Sequence, residues 1–234
     1  MALPTIVLVH GFWGDAAHWT GVIPILHKLG YPIRAVELPL TSLAADSLRT
    51  QQIANLVDGP VILVGHSYGG AVITEAGGAL GPSKVSALVY IAAFAPDVGE
   101  SPGGISTQYP AFAAVNNRLS PDADGFLWLN IDTFAETFAQ DADPELALVM
   151  AVTQKAPLAS TFGENITKAG WKSIPSWYQI STDDRCINPE AQKWMSGRLN
   201  AKKVIELPTG HASLASQPKP VADLIVEAAK AVSK

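Results

Sequence analysis

A chain of 234 residues suffices for one large α/β domain, and 48% hydrophobic against 16% charged residues is too apolar for intrinsic disorder. With 16 basic and 21 acidic residues the net charge is −5 and no Lys/Arg cluster stands out, which argues against nucleic acid as a partner. The single cysteine, Cys186, excludes an internal disulfide framework and a cysteine-based zinc site. The longest uncharged stretches are broken by Gly and Pro, so no membrane span and no membrane partner are expected. The start, Met1-Ala2-Leu3-Pro4-Thr5, runs into a strand with no basic segment before it, so a cytoplasmic protein without a signal peptide is expected.

In chain order, the first strand is Thr5–Val9 (TIVLV), followed by a helical segment at 16–29 that contains Pro24. A second strand is expected at 33–38 and a helix at 44–57. A third strand, 61–64 (VILV), leads to a helix at 68–80, and a fourth strand, 85–92, follows. After a long gap come a strand at 176–180, a helix at 189–199, a strand at 203–207 and a closing helix at 218–233. Val221, Leu224, Ile225, Ala228 and Val232 of the last helix keep helical spacing. The strands are continuous apolar runs rather than alternating ones, the pattern of a parallel sheet covered on both faces. Regular alternation of strand and helix gives an α/β fold with right-handed crossovers.

The segment 97–172 breaks that alternation. It holds Phe112, Phe126, Trp128, Phe134, Phe138, Phe162 and Trp171, with helices expected at 132–139, capped by Asp132, and at 144–154. The expectation is a single domain, 1–234, with 97–172 inserted as a mainly helical cap over the C-terminal edge of the sheet, where open α/β folds bind ligands.

The strongest motif is Gly65-His66-Ser67-Tyr68-Gly69-Gly70, between the strand VILV and a helical run. A serine on a sharp strand-to-helix turn needs glycines two residues before and after it, because side chains there would clash. Ser67 is thereby the expected nucleophile, with the Tyr68 amide facing the place where an oxyanion forms. A second amide should come from the first strand-helix loop, His10-Gly11-Phe12-Trp13-Gly14. Gly11 allows the sharp turn, Phe12 supplies the N–H, and Trp13 is expected to line the pocket. Gly11, Trp13 and Trp128 form the expected substrate contacts.

Of five histidines, His18 and His27 are expected at the surface, and His66 is expected to point away from the Ser67 hydroxyl. His211, in the loop after the last strand, is positioned to overhang Ser67 as general base. The orienting acid is expected in Asp183-Asp184, at another strand end; the residues alone separate these two poorly, and Asp97 is a third option. Chain order Ser67, Asp, His211 is that of a serine hydrolase. Cys186 reads as a small hydrophobe.

Taken together, VLVHGFWGDAAHW, GHSYGG, DDRCINPEAQKW and GHASLASQP resemble the α/β-hydrolase superfamily over nearly the whole chain. Within it they resemble the subgroup of plant methylesterases, hydroxynitrile lyases and small bacterial esterases. That resemblance implies a six-stranded, mostly parallel core with a cap, and it implies Asp184 as the acid, directly before Arg185-Cys186-Ile187-Asn188-Pro189-Glu190-Ala191-Gln192. Rubber-tree-type hydroxynitrile lyases carry Thr where this chain has Gly11 and Lys where it has Ala212, which argues for ester hydrolysis. The expected activity is cleavage of small apolar or aromatic carboxylic esters by Ser67, His211 and Asp184 through an acyl-enzyme, with no metal or organic cofactor required. A lyase, amidase or cofactor-free perhydrolase on the same site, or a small-ligand binding protein, are the rivals. Activity should fall on acidification, because a protonated imidazole cannot accept the Ser67 proton. Oligomeric state is left open, a homodimer included.

Overall fold

A computed structural model describes residues 3–111 and 118–233; Phe112 lies outside these residues. Six strands form one sheet in the order β2-β1-β3-β4-β7-β8, with every pairing parallel. They are β1 (Thr5–Val9), β2 (Ile33–Val36), β3 (Val61–His66), β4 (Val85–Ile91), β7 (Ser176–Ser181) and β8 (Lys203–Leu207). The architecture is the α/β-hydrolase fold expected from the sequence. Alternate side chains of the central strands feed two separate cores. Ile6, Leu8, Ile62, Val64, Val89 and Ile91 meet α1 (Ile23–Lys28) and α9 (Pro218–Val232) on one face. Val7, Val9, Leu63, Leu88 and Tyr90 meet α2 (Leu43–Asn55) and α3 (Gly69–Leu80) on the other. Every residue of β1 and β3 is buried, whereas the edge strands β2 and β8 are partly exposed, which is why only the central strands read as unbroken apolar runs.

Several boundaries move for identifiable reasons. β2 ends at Val36 rather than Leu38, because the Leu38 amide donates to His10 Nε2 (3.0 Å) instead of joining the sheet. β3 runs on to His66, which pairs with Ile91. The expected first helix divides into a 3-10 turn, Ala16–Trp19, and the short α1. Asp15 caps the turn by accepting from the Ala17 amide, and Pro24 falls in the first turn of α1, where its missing N–H costs nothing. α7 (Pro189–Arg198) and the closing α9 lie close to their expected spans, and a one-turn α8 (Ser213–Ser216) precedes α9.

Between β4 and β7 the chain forms α4 (Pro102–Gln108), the antiparallel hairpin β5 (Leu119–Pro121) and β6 (Leu127–Leu129), α5 (Ile131–Phe138) and α6 (Pro144–Thr153). The hairpin was not expected in a mainly helical insertion. Its turn is built by Asp122, whose Oδ1 accepts from the Asp124 and Phe126 amides, and the Asp124-Gly125 pair is the sequence signal for it. Asn130, not Asp132, caps α5, by accepting from the Asp132 amide. Among the described residues no helix is long and apolar enough to cross a membrane.

Candidate active site

Four loops, after β1, β3, β7 and β8, meet at the C-terminal ends of the strands. After β3 the chain turns through Ser67, whose φ is +56° in the left-handed region. The Ser67 carbonyl accepts from the Gly70 and Phe94 amides (3.0 Å each), so the strained residue is held from two sides. A side chain on Gly65 would collide with the Gly69 backbone, and one on Gly69 would come within 2.5 Å of the Val9 carbonyl. Both glycines of the motif are thereby explained as close approaches of the elbow to itself and to β1. Ser67 is buried except for an opening into a cavity of about 460 Å³. Phe12, Trp13, Phe94, Phe162 and Ile187 are among its lining residues, so the walls are largely apolar.

The loop after β1 lies directly against the elbow. A Cβ on Gly11 would sit 2.6 Å from Ser67 Cβ and 3.1 Å from Ser67 Oγ, so residue 11 has room for hydrogen alone. The Phe12 ring stacks on the Tyr68 ring, 3.9 Å between centroids and 12° between planes. Phe162 covers Phe12 from the insertion side at 4.4 Å. Neither the Phe12 nor the Tyr68 amide donates to an acceptor among the described residues.

His211 follows β8, as expected, and is fully buried. Its Nδ1 donates to Asp184 Oδ2 at 2.8 Å, and its other ring nitrogen, Nε2, is buried and without a partner among the described residues. Asp184 accepts three further bonds, from the Cys186 amide (2.8 Å), the Ile187 amide (3.0 Å) and Gln192 Nε2 (2.8 Å). Four donors to one buried carboxylate fix its orientation toward His211. Asp183 points to solvent, its amide donating to the Thr209 carbonyl. Asp97 pairs with Lys172 at 2.5 Å. Of the three acids weighed from the sequence, Asp184 is the one that meets His211. Ser67 Oγ itself makes no hydrogen bond among the described residues, so the Ser67–His211 contact is open here; such bonds commonly close only once substrate is bound.

Of the other histidines, His27 is exposed, as expected, and His10, His18 and His66 are buried. His66 Nε2 donates to the His211 carbonyl at 2.8 Å, fixing the backbone of that loop and turning the imidazole away from the hydroxyl. His10 Nε2 accepts from the Leu38 amide, so its Nδ1 donates to the Gly11 carbonyl. His18 corrects the expectation of a surface residue. It is buried against Phe138, 5.8 Å between rings, because the short 3-10 turn directs His18 and Trp19 inward together. Burial lowers its pKa to about 3, with His10 and His211 adding to the effect. Burial, reinforced by the Asp184 charge, holds the Cys186 thiol well above its usual range, so it is no thiolate rival to Ser67.

Trp13 lines the cavity beside Ser67, with its indole N–H donating to the Leu127 carbonyl. Trp128 does not reach the site. On the short strand β6, Leu129 turns inward, and its neighbour Trp128 must therefore turn out. Trp128 is 42% exposed and donates to Asp122 Oδ2, beside a separate hollow formed with Glu37 and Lys155.

Contacts that the sequence did not disclose complete the site. The end of α5 and the residues after it brace both the acid and the base loops. The Ala212 amide donates to the Phe138 carbonyl, Gln140 Nε2 donates to the Asp183 carbonyl, and Asp141 accepts from the Gly210 amide and the Ser216 hydroxyl. The Phe138 ring stands edge-on to His211 at 4.9 Å. On the opposite side, the Tyr68 hydroxyl donates to Asp46 Oδ2. The signal for Asp46 is its place in a buried stripe of α2 with Leu43, Ser47, Thr50, Ile53 and Ala54.

The description Alpha/beta hydrolase family matches residues 6–224, and the chain belongs to that family. It is 30% identical to Probable hydrolase R7 of a Phoma species, over 98% of this chain and 99% of that protein. It is 26% identical to Methylesterase 8 of Arabidopsis thaliana, over 93% of this chain and 86% of that protein. Among solved structures, a pyrethroid hydrolase from Sphingobium faniae JZ-2 superposes with a TM-score of 0.81, covering 97% of this chain and 98% of that one; at 23% identity this is a likeness of fold.

Proposed function

We propose that the protein is a serine carboxylesterase acting on small esters with apolar or aromatic groups. The observation that carries this reading is the buried His211–Asp184 hydrogen bond of 2.8 Å, with the free His211 Nε2 in the loop pinned to the Ser67 elbow through His66. In this mechanism His211 Nε2 takes the Ser67 proton as Oγ attacks the ester carbonyl. The carbonyl oxygen, now an oxyanion, is held by the Phe12 and Tyr68 amides. His211 passes the proton to the leaving alcohol, then draws a proton from water as the water attacks the acyl-enzyme, and returns it to Ser67 Oγ as the acyl–oxygen bond breaks and the acid departs. Asp184 keeps Nδ1 protonated throughout and Nε2 free to work. A cavity of about 460 Å³ walled by Phe12, Trp13, Phe94 and Phe162 suits an aromatic or short aliphatic group, and the similarity to a methylesterase agrees with a small alcohol. A lyase route that depends on a hydroxyl at position 11 has no room for it, and Ala212 offers no ammonium.

The test is hydrolysis of p-nitrophenyl acetate, butyrate and benzoate by the purified chain. Wild type should turn over, and Ser67→Ala should lose on the order of a thousandfold or more in kcat. An inert wild type overturns the esterase reading, undiminished Ser67→Ala moves the nucleophile elsewhere, and cleavage of mandelonitrile in preference to the esters would make the protein a lyase.

A further inference from the structure

Asp46 is a fully buried carboxylate that the mechanism above leaves without a task. It sits in the first turn of α2 and accepts two hydrogen bonds, from the Leu40 amide to Oδ1 and from the Tyr68 hydroxyl to Oδ2, both 2.8 Å. Taking a carboxylate out of water is costly even when it is hydrogen-bonded, and here it is the acceptor for two donors that are themselves buried, the Leu40 amide and the Tyr68 hydroxyl. Burial raises its pKa to about 6, the two hydrogen bonds and Lys155 working against that rise and Glu164 with it. Its partner is no ordinary core tyrosine. Tyr68 directly follows Ser67, its amide is one of the two unclaimed donors, and its ring carries the Phe12 ring in a stack of 3.9 Å. Tyr68 is held at both ends, by its backbone in the elbow and by its hydroxyl on α2, and the Phe12 ring stacks on it.

We propose that Asp46 is a positioning residue for the oxyanion hole, gripping the Tyr68 hydroxyl so that the amides of Tyr68 and Phe12 are held ready before substrate arrives. The inference rests on the esterase reading of Ser67. Preorganised donors matter in the transition state far more than in substrate binding, so the grip should be felt in kcat and little in KM.

The experiment compares Asp46→Leu, Asp46→Asn and Tyr68→Phe with wild type and Ser67→Ala, on p-nitrophenyl butyrate, with circular dichroism and a melting curve on each. Asp46→Leu and Tyr68→Phe should each lower kcat by about tenfold or more with KM within about twofold. Asp46→Asn should recover to within about threefold of wild type, since its oxygen can accept from the Leu40 amide while its NH₂ donates to the Tyr68 oxygen. Where Asp46→Leu fails to fold, Tyr68→Phe carries the test. Variants that melt earlier but keep wild-type kcat per folded molecule would make Asp46 a mere packing residue and overturn the proposal, as would a KM effect without a kcat effect. An inert wild type, or an active Ser67→Ala, brings down the esterase reading and this inference with it. Active wild type and dead Ser67→Ala, with unchanged Asp46→Leu and Tyr68→Phe, bring down this inference alone.

Discussion

Asp183 and Asp184 are chemically identical neighbours in one turn, yet the fold gives them opposite surroundings. The Asp183 amide is tied to the Thr209 carbonyl, which leaves its side chain in solvent, and the next residue then turns inward to four donors. Asp184→Asn should keep the fold but offer His211 Nδ1 an amide, freeing the ring to take the wrong tautomer. A loss of about 10³- to 10⁴-fold in kcat is expected. Asp183→Asn should stay within about twofold, and equal losses in the two variants would mean that the acid is shared or misassigned. The pair also marks a limit of reading residues alone. Which of two adjacent side chains faces in depends on how the Asp183 amide is tied to Thr209, 26 residues on, a contact that has no local signature; the resemblance to known hydrolases, not the turn itself, pointed to Asp184. Ser67 is the opposite case, because the glycines that relieve its strain sit in sequence beside it.

At the level of elements, the central strands and the flanking helices were legible because their burial repeats in the sequence: β1, β3 and β4 are continuous apolar runs, and α9 keeps its helical stripe. The insertion was less so. Strands of three residues in β5 and β6 are too short to show a period, and both the hairpin and the outward face of Trp128 went unread. Two insertion aromatics now have separate expectations. Phe162 lies in the 3-10 turn Ala159–Gly163, where it covers Phe12 and lines the cavity. Phe162→Ala should raise KM for p-nitrophenyl benzoate about three- to tenfold, the weight of a lost aromatic pair, and change acetate turnover less. Trp128→Ala should leave both substrates within about twofold, and a larger effect would bring the hairpin into the binding site.

Across the whole molecule, low charge and many buried imidazoles set a distinct response to acid. His18 carries a pKa near 3 in the folded chain against an ordinary 6.5, and burial lowers His10 and His66 as well. Below pH 6.5 the unfolded chain takes up protons that the folded one refuses, so stability falls as pH drops; at pH 5 His18 alone costs roughly 2 kcal/mol. Asp46 works the other way, since the folded chain protonates it near 6 and the unfolded chain only near 3.8. One carboxyl offsets about one imidazole, and the lowered His10 and His66 act in the same direction as His18. The melting temperature should therefore drop by several degrees between pH 7.5 and 5, and His18→Phe should flatten part of that slope. A melting temperature constant over this range would contradict the burial of neutral imidazoles. The same unity of the molecule bears on how such a protein changes over time. The insertion is stitched to the catalytic loops by Phe138, Gln140 and Asp141, and to the Trp13 loop through the Leu127 and Lys155 carbonyls. It is not a detachable module, and exchanging it whole with a relative's would break the hydrogen bonds that hold the Asp183-Asp184 turn and the Gly210–Ala212 loop. The shape of the cavity is open instead to point changes at lining residues such as Phe162, which leave those seams as they are.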